Sequence, residues 1–292
     1  MDVRRRQLML AGLGLGVVTM VAPRLLSACE TETFNTYGIE PAGGETDQTA
    51  MLQRAIDAAA HSGTTLFIPA GIYSTRRLSL KSGTHIEGLP GRTILRYRGG
   101  DAILNVAQAG NVRLTGLVLD GGNQPLGAGA LFAVRDATDL DISGCRFIAS
   151  SGDGIVLHRA SGRITACEIV HIGKTGLASE YSGNLTIAGN LIDEAATGLS
   201  ITGFKPGAGP VVVQDNVIKD LFLRKTIHLS GTGIAVAGDS VIRGNAIEGA
   251  PAYGILIVDD RQRVRVAGNS IRNAYIDIAS INGPLSRPGG EA

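Results

Sequence analysis

Arg135, His158 and Glu180 stand 23 and 22 residues apart, a spacing that gains meaning only if the chain repeats with that period. They offer a guanidinium that clamps carboxylates, an imidazole that takes or gives a proton near neutral pH, and a carboxylate that can tune it. Such a set neutralises a uronate and moves a proton, the two requirements of β-elimination. Asp153, His171, Lys174, Asp193 and Glu194 fall in the segments between. Glu180 with Asp153 or Asp193 is the carboxylate pair available for glycoside hydrolysis. A blander reading competes: exposed strands favour mixed charges, and Arg135 to Glu180 is then a surface ladder that serves solubility and register.

The elements that must position these residues are repeats. A phrase of the form apolar-x-Gly-Asn-x-Ile occurs as Ile187-Ala188-Gly189-Asn190-Leu191-Ile192 and again around Asn216, Asn245 and Asn269. Degenerate copies centre on Leu117, Cys145 and Cys167, and the whole series is spaced 22 to 29 residues apart. A second phrase, Gly followed by alternating aliphatics, precedes the later copies at Gly154, Gly176, Gly198, Gly233 and Gly254. Repeats of this length with short strands and no helix specify a β-solenoid, whose coils stack in parallel about 4.8 Å apart. Stacking sets like on like, so the four asparagines form an inward ladder whose amides satisfy one another. Cys145 and Cys167 share that column as neighbouring buried thiols, or as a disulfide if the geometry allows. Counting from each glycine, the fourth position points outward. It holds His158, Glu180, Thr202, Ala237 and Val258, and Arg135 joins after one slip.

Composition agrees. The 41 glycines among 292 residues are about twice the usual share, without a collagen period. Tryptophan is absent, leaving Tyr181, Tyr253 and Tyr275 as candidates to stack sugars or to pack loops. Residues 1–28 carry four arginines against one aspartate, so the remainder is mildly acidic and has no nucleic-acid footprint. Arg5-Arg6 before the apolar stretch from Leu8 to Ala22 resembles a twin-arginine export signal, although Sec signals also begin with basic residues. Leu26-Ser27-Ala28-Cys29 resembles a lipobox, which makes Cys29 a lipid-anchor candidate; cleavage after Ala28 without lipidation is the alternative. The stretch is too short for a membrane span. From Thr46-Asp47, with Leu52, Ala55, Ile56 and Ala59 on one face, the spacing predicts an amphipathic helix capped by Thr46 or Asp47 and ended by Gly63.

That helix, with Ile68-Pro69-Ala70-Gly71-Ile72-Tyr73 after it, resembles the start of pectate-lyase-like right-handed parallel β-helix proteins. With the double arginine and the Gly-Asn repeats, the chain resembles a family of twin-arginine-translocated repeat proteins of uncharacterised function. The resemblance covers residues 30 to 283. It implies that the helix caps the first coil and that substrates lie along the sheet of the Gly-apolar phrase. The chemistry does not carry over. The Asn-Thr-Asp, Gly-His-Gly and Arg-x-Lys motifs of polygalacturonases are missing, as are the clustered calcium aspartates of pectate lyases and the Asp-Pro-His-Asp of mannuronan epimerases.

The expectation is therefore an all-β right-handed parallel β-helix with an N-terminal capping helix. Its parts are a signal at 1–28, a linker at 29–45, the cap helix and first coils at 46–110, repeated coils at 111–283 and a disordered tail at 284–292. Function is expected to be exported (periplasmic or extracellular) and carbohydrate-active, as a polysaccharide lyase or hydrolase on acidic glycans. The alternative is a non-catalytic solenoid that binds polysaccharide or another envelope component. Poly- or oligosaccharide is the expected partner, and neither a cofactor nor a metal set is legible. The longest insertion, Lys219 to His228, falls on the same side as the candidate site.

Overall fold

The structure, a computed structural model, describes residues 37–126, 129–203, 207–259 and 263–281. The signal, the lipobox with Cys29 and the tail at 284–292 lie outside the described residues. Among the described residues no helix is long and apolar enough to cross a membrane.

The amphipathic spacing yields one helix, Thr49–Ser62, burying Leu52, Ala55, Ile56 and Ala59. Gly63 ends it at φ 65, as expected of a left-handed C-cap. The start differs by one position: Gln48 is the N-cap residue and makes no side-chain cap, while the Asp47 carboxylate accepts the Thr49 N–H at 3.0 Å. The helix packs on strands Thr65–Ile68, Leu78–Leu80 and His85–Gly88 and closes the edge that a solenoid leaves open. Gln53 does this in detail, since its amide accepts the Ser79 N–H at 2.8 Å and donates to the Ser79 carbonyl at 2.9 Å. Part of the stretch read as linker is also tied in. Ile39 is buried, and the Gln48 amide bonds Glu40 and Ala42.

Beyond the helix, parallel strands stack into three faces, about nine turns in all. The first face runs from Thr65–Ile68 to Val264–Ala267, and the second from Gly71–Thr75 to Ser270–Arg272. The third runs from Leu78–Leu80 to Ile276–Ser280 and contains the Gly-apolar phrases. Alternation fills the interior with one aliphatic ladder per position, such as Phe132, Ile155, Leu177, Leu199, Ile234 and Ile255 on the third face.

At the corner from first to second face stands the asparagine ladder. Asn190, Asn216 and Asn245 are buried. Each donates from Nδ2 to the next asparagine's Oδ1 at 2.9 Å and back to the carbonyl of Ile164, Ile187 or Val213 at 3.0 Å. The ladder ends at Cys167 and Cys145, both free and buried, whose thiols burial pushes up to about 12 and about 11. From the third coil on, the residue before this column is left-handed, at Gly116, Gly144, Ala166, Gly189, Asp215, Gly244 and Gly268. The glycines of the second phrase serve space instead of angle. A β-carbon on Gly198 would come within 2.4 Å of the Gly233 carbonyl oxygen and 2.7 Å of Ile218 Cγ2.

Candidate functional site

On the third face Ile155 and Leu157 point inward, so Val156 and His158 point out. The register places Ala107, Arg135, His158, Glu180 and Thr202 opposite one another in successive coils. Neighbours are therefore about 4.8 Å apart. Arg135 and Glu180 are exposed and His158 is half-buried. The column stops after Thr202. A register shift at Val236/Ala237 pairs Ala237 with Asp259, so Val258 does not continue it. Two residues back, at the preceding outward position, Val156, Ala178 and Ser200 are half-exposed while Ala235 and Leu256 are buried, so the accessible strip also ends after Ser200.

Several other outward columns pair opposite charges internally. Arg163 is bidentate to Asp141 at 2.8 and 2.7 Å, Arg146 meets Glu168 at 2.6 Å, and Lys219 meets Asp193 at 2.8 Å. In the third-face column His158 separates the two charges by two coils, about 10 Å, which is beyond ion-pair reach. Among the described residues neither Arg135 nor Glu180 forms an ion pair.

The corner residue after each column member completes the geometry. Arg159 binds Asp136 through two hydrogen bonds, Nε to Oδ1 and Nη2 to Oδ2, the latter at 2.8 Å. These bonds, helped by the charges of Arg159, His158 and Arg135, hold the Asp136 carboxyl below its ordinary range. Arg159 Nη1 donates to His158 Nε2 at 3.4 Å, while among the described residues the buried His158 Nδ1 has no hydrogen-bond partner. Tyr181 meets the imidazole edge-on, with ring centroids 5.7 Å apart at 77°. The pairing of Asp136 with Arg159 and the approach of Tyr181 escaped the sequence reading. One further step along each coil, from the column to the residue after it, would have revealed both.

The remaining candidates lie at the other end of the third face. Asp153 accepts the Thr175 N–H at 2.9 Å, and burial raises its carboxyl above the ordinary value against the pull of that bond and of Lys174. His171 Nε2 lies 3.0 Å from Glu194 Oε2 in the open. Asp193 spends one oxygen on Lys219, and its other oxygen is buried without a partner. The long insertion reaches back to this end, where Arg224 donates to the Gly173 carbonyl at 2.7 Å. Asp153 and His158 occupy one strand five residues apart, roughly 17 Å at the usual rise. Glu180 is thus brought to Arg135 and His158 but not to Asp153 or Asp193, far outside the carboxylate separations that glycoside hydrolysis requires. Among the described residues no group of three or more His, Cys, Asp or Glu is placed to hold a metal ion.

The sequence profile of the right handed beta helix region matches residues 102–271, more than half of the chain. No curated protein sequence matches it. Among solved structures it is similar to an alginate lyase from Paenibacillus sp. str. FPU-7, with 12% identity, TM-score 0.51, and 80% of this chain covering 97% of that one. The catalytic unit of a thermostable alpha-1,3-glucanase from Streptomyces thermodiastaticus gives 19% identity and TM-score 0.54, with 81% of this chain and 46% of that one covered. A tailspike of E. coli bacteriophage HK620, solved with a pentasaccharide, gives 15% and 0.52, covering 80% and 55%. The chain thus spans about half the length of the last two, and the likeness is one of fold.

Proposed function

The chain belongs to the right handed beta helix family, and on that premise we propose that it is an exported, carbohydrate-active protein that cleaves an acidic glycan by β-elimination. The observation carrying this reading is the column Arg135–His158–Glu180, whose two charges form no ion pair among the described residues, unlike Arg163–Asp141 and Lys219–Asp193 in other columns. Arg135 pairs with a uronate carboxylate and thereby acidifies the hydrogen on the carbon beside it. His158 Nε2 takes that proton once Arg159 yields the lone pair. The released electron pair forms the new carbon–carbon double bond as the glycosidic carbon–oxygen bond breaks. The imidazolium returns the proton to the departing oxygen. Glu180, one coil on, is a positioning residue for His158. The separation of Glu180 from Asp153 and Asp193 favours elimination over hydrolysis. That the fold neighbours include an alginate lyase, a glucanase and an oligosaccharide-bound tailspike agrees with carbohydrate as the partner. The basic, apolar leader with Arg5 and Arg6 supports export.

A non-catalytic polysaccharide-binding solenoid is the second reading. The occupied Nε2 and buried Nδ1 of His158 favour it, because neither nitrogen is open to a substrate proton in this geometry. Titration with uronate oligosaccharides tests the shared claim. Arg135→Ala weakens binding about tenfold or more, the worth of one charge-assisted contact; unchanged affinity removes the column from the site.

A further inference from the structure

Tyr181 is half-exposed, at 50%, yet it is held on two sides. One is the edge contact with His158. The other is Gly203, one coil further on, which lies against the Cγ–Cδ1–Cε1 side of the ring. A β-carbon there would come within 2.6 Å of Tyr181 Cδ1. The ring is carried on a left-handed residue, φ 50, an arrangement that costs a bulky side chain free energy and recurs along this corner at Gln108, Asp136 and Arg159. Tyr275, by comparison, is 82% exposed. A half-exposed aromatic ring held in place beside polar groups suits the C–H face of a pyranose, which meets the electron-rich side of the ring.

Position fixes which sugar. Tyr181 belongs to the coil of Glu180, two coils or about 10 Å along the axis from Arg135, so the sugar it meets is not the one clamped by the guanidinium. Glu180 is adjacent, exposed and unpaired among the described residues, and it repels a second carboxylate at that place. Building on the glycan reading above, we infer that Tyr181, Gly203 and Glu180 form a subsite for a neutral pyranose next to the clamped uronate. The preferred substrate is then a glycan in which uronates alternate with neutral sugars.

Two tetrasaccharide probes test this by calorimetry and proton NMR: one alternating uronic acid with neutral hexose, the other wholly uronic acid. Wild type binds the alternating probe several-fold more tightly, and its sugar C–H protons shift upfield under the tyrosine ring current. Tyr181→Phe keeps both effects. Tyr181→Ala loses the upfield shift and about tenfold in affinity, the worth of one stacked ring. Gly203→Ala leaves the ring chemically intact but displaced, and reduces the shift. Glu180→Gln brings the two probes toward equal affinity. If wild type and Tyr181→Ala bind the alternating probe alike, or if the wholly uronic probe binds wild type more tightly, the subsite is refuted while the glycan reading stands. If wild type binds neither probe, both fall together.

Discussion

Replacing Asn216 by alanine tests what holds the coils in register. Its carboxamide oxygen accepts from both the backbone N–H and the Nδ2 of Asn190 at 2.9 Å. Its own Nδ2 donates to the Ile187 carbonyl at 3.0 Å and to Asn245 Oδ1 at 2.9 Å. Alanine orphans two donors of Asn190 and one carbonyl, all buried, at about 1–3 kcal/mol each. A total of about 4 kcal/mol is a fall of roughly 8–16 °C in melting temperature for a domain of this size. Asn269, the last asparagine of the ladder, accepts the same two bonds from Asn245 but donates only to the Ile242 and Ala267 carbonyls, and it is half-exposed, so water can replace the lost partner. Asn269→Ala should therefore cost less than about 1 kcal/mol. Asn216→Asp adds a pH signature: a buried carboxylate facing Asn245 Oδ1 has its titration raised, so the variant loses more stability at pH 7 than at about pH 4. Calorimetric melting of the three variants decides it. Equal losses at Asn216 and Asn269, or a loss under about 1 kcal/mol at Asn216, would refute the ladder as a source of stability.

Ala166 is the one apolar side chain in the left-handed column before the ladder, at φ 52, and Ala166→Gly should raise stability by about 0.5–1 kcal/mol, read as a higher melting temperature. At Asp153 burial favours the protonated form in the folded state, so its contribution to stability is full below the unfolded value near 4 and is lost as pH rises through the raised folded value. Asp153→Asn keeps an oxygen for the Thr175 N–H; it should melt above wild type at pH 7 and together with it at about pH 3.

The coil was legible because stacking forces each position to repeat. Asn190, Asn216, Asn245 and Asn269 stand in one column only if their carboxamides bond along the axis, and that column fixes the register of every other. The third-face column followed from the same register, with Arg135, His158 and Glu180 opposite one another. Corners were less legible. Asp136, Arg159 and Tyr181 adopt left-handed backbone without being glycine, so nothing in their residue type marks the turn that places them beside His158. The strand length between Asp153 and His158 was hidden for a related reason. Residues near in sequence to a site stand apart when an extended strand separates them. The register shift at Val236/Ala237, which ends the column before Val258, sits beside Gly238 at φ 100, a glycine that the count from Gly233 passes over.

The central claim is that the unpaired column acts on acidic glycans, and product formation tests it most directly. The protein is incubated with a panel of uronate-containing polysaccharides, and the ultraviolet absorbance of the unsaturated product is followed. The account predicts an absorbance rise with at least one polymer, lost in His158→Ala and strongly reduced in Arg135→Ala while both variants keep the wild-type melting temperature. A rise that survives His158→Ala, or no rise with any polymer of the class, contradicts it.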